Sequence, residues 1–194
     1  NPGTAEQQKF ADFNAAGVNR LSIGVQSFNN DHLSALGRIH DSDNALKAIE
    51  MAHICGFERF NIDLMHGLPN QTRAQAVSDL ETAINTGATH ISWYQLTIEP
   101  NTAFYSKPPI LPIEDQLADI QDLGQQTLAK ADFEQYEISA FARNNQQCKH
   151  NINYWQFGYY FCIGAGAHGK ISLPYQISII RSAKTRLPKH YLNQ

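Results

Sequence analysis

Asn61-Ile62-Asp63-Leu64-Met65-His66-Gly67-Leu68-Pro69 is the stretch whose reading decides the fold. With Phe60 before it, residues 60–68 read as a strand that is apolar around a single carboxylate, Asp63, and that stops at a turn. Residues 21–28, 91–98 and 136–141 read the same way and carry Gln26, Gln95 and Ser139. Helical patterns separate them, over residues 6–16, 31–36, 43–54, 74–86 and 114–131, with Thr72 placed to cap the fourth. The helix exits repeat a phrase, Ala16-Gly17-Val18, Cys55-Gly56-Phe57 and Thr86-Gly87-Ala88, with Asp replacing Gly in Ala131-Asp132-Phe133. This rhythm predicts an α/β fold: a partial (β/α) barrel whose parallel strands are covered on both faces. Parallel units collect their strand ends on one side, so Gln26, Asp63, Gln95 and Ser139 are expected to look into one shared site. Four strands do not close a barrel. Further strands are expected upstream, and Asn1-Pro2-Gly3-Thr4 reads as a turn in mid-protein, so the barrel is expected to be truncated on its N-terminal side.

The totals fit a soluble globular chain: 194 residues, 42% hydrophobic and 17% charged, with no apolar run of about 18 residues to span a membrane. Cys55, Cys148 and Cys162 are too few for a disulfide framework, and a cytoplasmic location is expected. Cys55 and Cys162 read as small buried hydrophobes. Charge divides the chain. Up to position 137 there are eight Lys or Arg against 18 acids, a net −10; from Ile138 onward there are seven Lys or Arg and no acid, a net +7. Such polarity suits an anionic ligand or an acidic partner, and equally a basic surface pairing with acidic segments elsewhere. Two regions follow: residues 1–142, the strand–helix part, and residues 143–194, an aromatic, glycine-rich, basic segment. Residues 144–174 show no helical period, and Pro188-Lys189 marks the start of an element of unassigned type.

Gln26, Arg38 and Asp63 offer an amide, a guanidinium and a carboxylate. That set suits a zwitterionic ligand carrying a ribose. The competing reading is an Arg38–Asp63 ion pair that orders the barrel rim. His150-Asn151-Ile152-Asn153-Tyr154-Trp155, followed by Phe157, Tyr159, Tyr160 and Phe161, offers an imidazole for haem iron and rings for a porphyrin face, with Lys149 and Arg143 near for propionates. Taken alone, such an aromatic run is more often core. Cys148-Lys149-His150 is half a metal site with no second half, so no metal ligands are assigned. Gly164-Ala165-Gly166-Ala167-His168-Gly169 fits a dinucleotide fingerprint in spelling only, because the residues after it are not helical and no acid lies downstream. No hydrolase motif occurs, and four basic residues near the end, with few aromatics among them, make no case for nucleic acid. No catalytic residue is assigned.

Several segments in order are similar to one family. They are Asn1-Pro2-Gly3-Thr4, residues 17–28, Leu36-Gly37-Arg38 and Asn61-Ile62-Asp63-Leu64-Met65-His66-Gly67-Leu68-Pro69. They resemble the oxygen-independent coproporphyrinogen III oxidase group of radical S-adenosylmethionine (SAM) proteins. Ser92-Trp93-Tyr94-Gln95-Leu96, Ile98-Glu99-Pro100-Asn101-Thr102 and His150-Asn151-Ile152-Asn153-Tyr154-Trp155 resemble its haem-chaperone branch. The resemblance implies a radical SAM-type (β/α) barrel with SAM and a [4Fe–4S] cluster at the strand ends. It implies SAM contacts at Gln26, Arg38 and Asp63 and near Thr97, and haem contacts at His150, Tyr154 and Trp155. For the chaperone branch it implies haem delivery to acceptor proteins. For the oxidase it implies oxidative decarboxylation of coproporphyrinogen III. The family holds its cluster with three cysteines in a C-x3-C-x2-C loop; here the cysteines are 93 and 14 positions apart. Anaerobic iron–sulfur reconstitution of this 194-residue chain is therefore expected to leave no cluster absorbance band, and the visible spectrum checks it.

Overall fold

A computed structural model describes residues 1–173, 175 and 178–193. The chain forms two compact units, Asn1–Gln147 and Cys148–Gln194. In the first, a 3-10 turn (Pro2–Thr4) precedes α1 (Gln7–Ala15), β1 (Leu21–Gln26), α2 (Asn30–Ala35), α3 (Ser42–Ile54), β2 (Phe60–His66) and α4 (Arg73–Asn85). Then come β3 (His90–Gln95), α5 (Ala103–Ser106), α6 (Glu114–Lys130), β4 (Glu134–Glu137) and β5 (Ala140–Ala142). The sheet order is β1-β2-β3-β5-β4, and the β1–β2 and β2–β3 pairs are parallel, as the strand–helix rhythm predicts. Capping boxes start α3 at Asp41 and α4 at Thr72, where the Gln75 amide reaches back to the Thr72 N–H. At the exit of α6, Asp132 takes φ 61°, the left-handed place that Gly17, Gly56 and Gly87 hold at the other exits.

Residues 136–141 do not form the fourth parallel strand. They belong to a hairpin, in which β5 runs antiparallel to β3 and to β4. Strands this short, joined through Ile138-Ser139, leave no length for a crossover helix, so the chain returns antiparallel. Ser139 sits in the turn, where its carbonyl accepts the Trp93 N–H at 2.7 Å.

Nor is the sheet covered by apolar side chains on both faces. Ile23, Val25, Ile62, Leu64, Ile91 and Trp93 alternate onto one face. There they join one core with Ala48 and Ile49 of α3, Leu80 and Ala83 of α4, and Ile120 and Leu128 of α6. Each fully buried aliphatic side chain stabilises the fold by roughly 1.5–3 kcal/mol. The intervening positions carry Ser22, Gly24, Asn61, Asp63, His90, Ser92 and Tyr94. The strands have a period of two, apolar then polar, and the second face is polar.

The second unit holds α7 (Lys149–Trp155), β6 (His168–Leu173), β7 (Ser178–Ala183) and α8 (Pro188–Leu192). β6 and β7 pair antiparallel, and Tyr160 forms a bridge with Lys170. α7 overturns the expectation that residues 144–174 lack a helix. No residue of α7 is buried, so no apolar stripe marks it in the sequence. Pro174 and Gln194, included in the expected basic segment, lie outside the described residues. β6 begins within the glycine-rich stretch, at His168, so the stretch opens a strand and not a helix. Pro188 begins the helix α8. The aromatic run is not core either: Trp155 is 61% exposed, Phe157 79% and Phe161 78%. Cys55 and Cys162 are half-buried rather than sealed inside.

Gly124 is buried in α6 against Trp93, and a Cβ there would land inside the indole ring. Gly→Ala in a helix interior ordinarily stabilises by about 1 kcal/mol. Here Gly124→Ala is expected to reverse that sign and destabilise by about 2 kcal/mol, because the core must open to admit the methyl. Urea melts of the two proteins check it.

Candidate functional site

The site begins with an irregularity in β1. Its register with β2 shifts between Gly24 and Gln26, so Val25 is an extra residue in the ladder. The buried His40 ring bonds the Val25 carbonyl at 3.0 Å through Nε2. Gln26 then takes φ 74°, an uncommon conformation for a residue with a side chain. Its carboxamide reaches the polar face, where Oε1 accepts the Tyr94 hydroxyl at 2.8 Å. Just beyond, the buried Asp79 of α4 accepts the Ser27 hydroxyl and the Phe28 N–H, both at 2.7 Å. Burial pushes the Asp79 carboxyl up to about 6, against the opposing pull of those two hydrogen bonds.

Asp63 lies in the middle of the polar face. Oδ2 accepts the Ser22 hydroxyl at 3.0 Å, and Oδ1 accepts the Asn61 amide at 2.7 Å. Asn61 Nδ2 also donates to Ser22 Oγ at 2.8 Å, while its Oδ1 takes the Ser92 hydroxyl at 3.1 Å and pairs with His90 Nδ1 at 2.7 Å. With Asn61 Oδ1 an acceptor, His90 carries its proton on Nδ1, and its Nε2 accepts the Tyr136 hydroxyl at 2.6 Å. Burial, then the Arg20 charge, lowers His90 to about 4, so the ring is neutral. The array holds Asp63 by two donors and leaves further lone pairs on each oxygen for a ligand's hydroxyl or ammonium.

Arg38 follows Gly37 at the end of α2, and its guanidinium is exposed. Among the described residues the side-chain ion pairs are Lys9–Glu6 and Arg73–Asp119, so the Arg38–Asp63 pair is not made. Both charges act on Tyr94. Burial first, and then Asp63, push its phenol up, while Arg38 and the hydrogen bond to Gln26 pull the other way. Gln26, Asp63 and Tyr94 thus come together, with Arg38 within electrostatic range. Thr97 is exposed in the loop after β3, its hydroxyl 3.2 Å from Glu99 Oε1. Gln95 does not join: it alternates to the opposite face with Ile91 and Trp93. Ser139 arrives by the hairpin turn rather than on a parallel strand. A cavity of about 430 Å³, lined among others by Gln71, Arg73, Ile110 and Asp119, is separate from the polar face and takes in none of its residues.

In the second unit, His150 is exposed, and its ring meets Tyr154 edge-on at 4.8 Å, one helical turn on. Tyr154 in turn meets Tyr160 at 4.7 Å. Trp155 is exposed beside them in sequence. Lys170 is buried, donating to the Phe157 carbonyl at 2.8 Å with its ammonium 5.1 Å from that ring. The sequence reading missed Tyr94, Asn61, His90 and Asp79. For the first three a signal was present, the two-residue polar alternation along 22–24, 61–63 and 90–94; Asp79 had none, since it sits on a helix.

Residues 1–83 match the Radical SAM superfamily. The chain is 53% identical to the "Heme chaperone HemW" of Haemophilus influenzae and 52% identical to that of Escherichia coli, in each case over 99% of this chain and 50% of the relative. It spans about half the length of the curated relatives it matches. The solved radical SAM coproporphyrinogen III oxidase (HemN) of Escherichia coli superposes with a TM-score of 0.77 at 23% identity, over 100% of this chain and 46% of that one, which speaks to the fold. The radical SAM match over residues 1–83 implies SAM and a [4Fe–4S] cluster. The polar face fits SAM chemically, through the Gln26 amide, the Asp63 carboxylate and the Arg38 guanidinium. The cluster finds no such fit: the three cysteines, Cys55, Cys148 and Cys162, lie far apart in the chain, and no three His, Cys, Asp or Glu side chains group to hold a metal among the described residues. Nor is any helix among them long and apolar enough to cross a membrane.

Asp79 and two histidines oppose one another in acid. His66, stacked on Trp93 at 4.2 Å, is lowered by burial to about 4, like His90. The histidine contributions are present above pH 6.5 and are lost as pH falls through about 4. The Asp79 contribution is present below pH 3.8 and is lost as pH rises through about 6. Asp79→Asn removes the opposing trend, so its unfolding free energy is expected to fall more steeply than wild type between pH 6 and 4, by roughly 3 kcal/mol over the window. Urea melts at stepped pH check it; parallel curves would mean that Asp79 titrates like an exposed carboxylate.

Proposed function

We propose that this chain is part of a haem-binding chaperone of the radical SAM superfamily that delivers haem to acceptor proteins. The observation that carries it is the identity of 53% and 52% to two proteins named heme chaperone HemW, over 99% of the chain. Residues 1–142 then carry the C-terminal part of the barrel, and residues 143–194 begin the haem-facing region. That region contains Lys149, Arg181, Lys184, Arg186 and Lys189 and no Asp or Glu in its sequence, and it exposes Trp155, Phe157 and Phe161. Haem is planar and apolar with two carboxylates, so rings cover its face, cations meet its propionates and the His150 imidazole takes the iron. Tyr154 packs on the His150 ring and Trp155 offers a further face.

On the polar face Gln26, Arg38 and Asp63 hold SAM, with Thr97 beside it. When bound, SAM supplies a sulfonium with a cleavable carbon–sulfur bond. The residues here bind and orient it: Arg38 and the Gln26 N–H as donors, Asp63 as acceptor. A cytoplasmic location belongs to the same reading, supported by a cysteine count too low for a disulfide framework. The fold likeness to HemN favours a second reading, an oxygen-independent coproporphyrinogen III oxidase, on fold alone.

Two measurements on the full-length protein separate these readings. Haem titration followed by Soret absorbance is expected to show binding, with His150→Ala weakening it about tenfold and shifting the band. Anaerobic incubation with coproporphyrinogen III, SAM and a reductant is expected to give no protoporphyrinogen. Turnover would establish the oxidase, and unchanged binding by His150→Ala would remove the imidazole from the haem site.

A further inference from the structure

The carboxamide of Gln26 is symmetric in shape but not in chemistry. One end accepts and the other donates, so a ligand meets a different group according to which way the amide is turned. Three features around it act on that choice. The left-handed backbone, φ 74°, aims the side chain across the polar face toward β3. There the Tyr94 hydroxyl donates to Oε1 at 2.8 Å, which occupies the accepting end. Gly24 adjoins the other end: a Cβ on it would stand 3.0 Å from Gln26 Nε2, tighter than that nitrogen tolerates without moving. Gln26 is 4% exposed, so neither end turns freely in water.

We propose that Tyr94 is a positioning residue for the ligand site: its hydroxyl, with the room left by Gly24, locks the Gln26 carboxamide so that it presents its N–H to the ligand. The inference rests on the reading of Gln26 as a SAM contact. Tyr94 acts through Gln26. Burial and Asp63 push the phenol's pKa up, so the hydroxyl keeps its proton at neutral pH and can donate to Oε1, the end that faces it. Losing the hydroxyl leaves a buried carboxamide oxygen unpaired and lets both turns of the amide populate, only one of which suits the ligand.

The test measures the SAM dissociation constant of the full-length protein and of Tyr94→Phe, Gln26→Ala and the double variant. Gln26→Ala is expected to weaken SAM about tenfold and Tyr94→Phe about fivefold. The double variant is expected to match Gln26→Ala, because the hydroxyl has no effect once the amide is gone. A structural role for Tyr94 would instead lower affinity by the same factor in both backgrounds. Gly24→Ala supplies an independent variant, which displaces Nε2 and weakens SAM in the Gln26 protein but not in Gln26→Ala. If Gln26→Ala weakens SAM while Tyr94→Phe does not, or the two effects multiply, the positioning role is overturned and the SAM reading stands. If Gln26→Ala binds SAM as wild type does, the SAM reading falls and takes the positioning role with it.

Discussion

One buried carboxylate holds the exit of the first strand. Asp79 of α4 takes the Ser27 hydroxyl and the Phe28 N–H, and Ser27 Oγ accepts the Asn29 N–H at 3.0 Å. Asn29 then caps α2 through Asp31 and His32, and α2 leads to Gly37 and Arg38. The turn after Gln26, the start of α2 and the delivery of Arg38 therefore depend on a side chain from another helix. A buried acid near pKa 6 costs stability at neutral pH, and the fold retains it because the donors it satisfies would otherwise be buried without partners.

The two faces of the sheet impose the same register for different reasons. On one, Ile23, Ile62 and Ile91 must reach the helices or lose the core. On the other, Ser22, Asn61, Asp63 and His90 must align or lose a hydrogen-bonded array. A slip of one residue would put carboxylate and imidazole among the aliphatics and isoleucines among the polar groups. The β1 bulge is the local departure in the parallel part of the sheet, among the described residues. It leaves the parallel pairing up to Gly24 intact and re-aims only the residue after it.

The two functional readings draw on different physics. The polar face selects by direction, through donors and acceptors whose orientation neighbours fix. The second unit offers area and charge: exposed rings and six cations with no acid among them. Relatives separate in the same way. The oxidase shares the backbone arrangement at 23% identity, whereas the proteins named as haem chaperones share about half of all residues. A fold hosts many chemistries, so side-chain identity carries more of the functional argument than superposition does.

The strand–helix rhythm, the Thr72 cap and the Asp132 exit were legible in the chain itself, because periodicity and capping act over a few residues. Gln26 and Asp63 were legible as polar groups on strands and Arg38 as a cation after a helix-ending glycine, and the family resemblance gave them a ligand. The hairpin at residues 134–142 was not, since two short strands and one long strand look alike in composition. The exposed α7 left no apolar stripe to read. The contacts that make the site specific join residues far apart in the chain: 68 positions for Tyr94 and Gln26, 52 for Asp79 and Ser27, 29 for His90 and Asn61. Local sequence sets which groups a strand carries. Only the packing of strand on strand and helix on sheet decides which of them meet, because a hydrogen bond needs a partner within about 3 Å and in line.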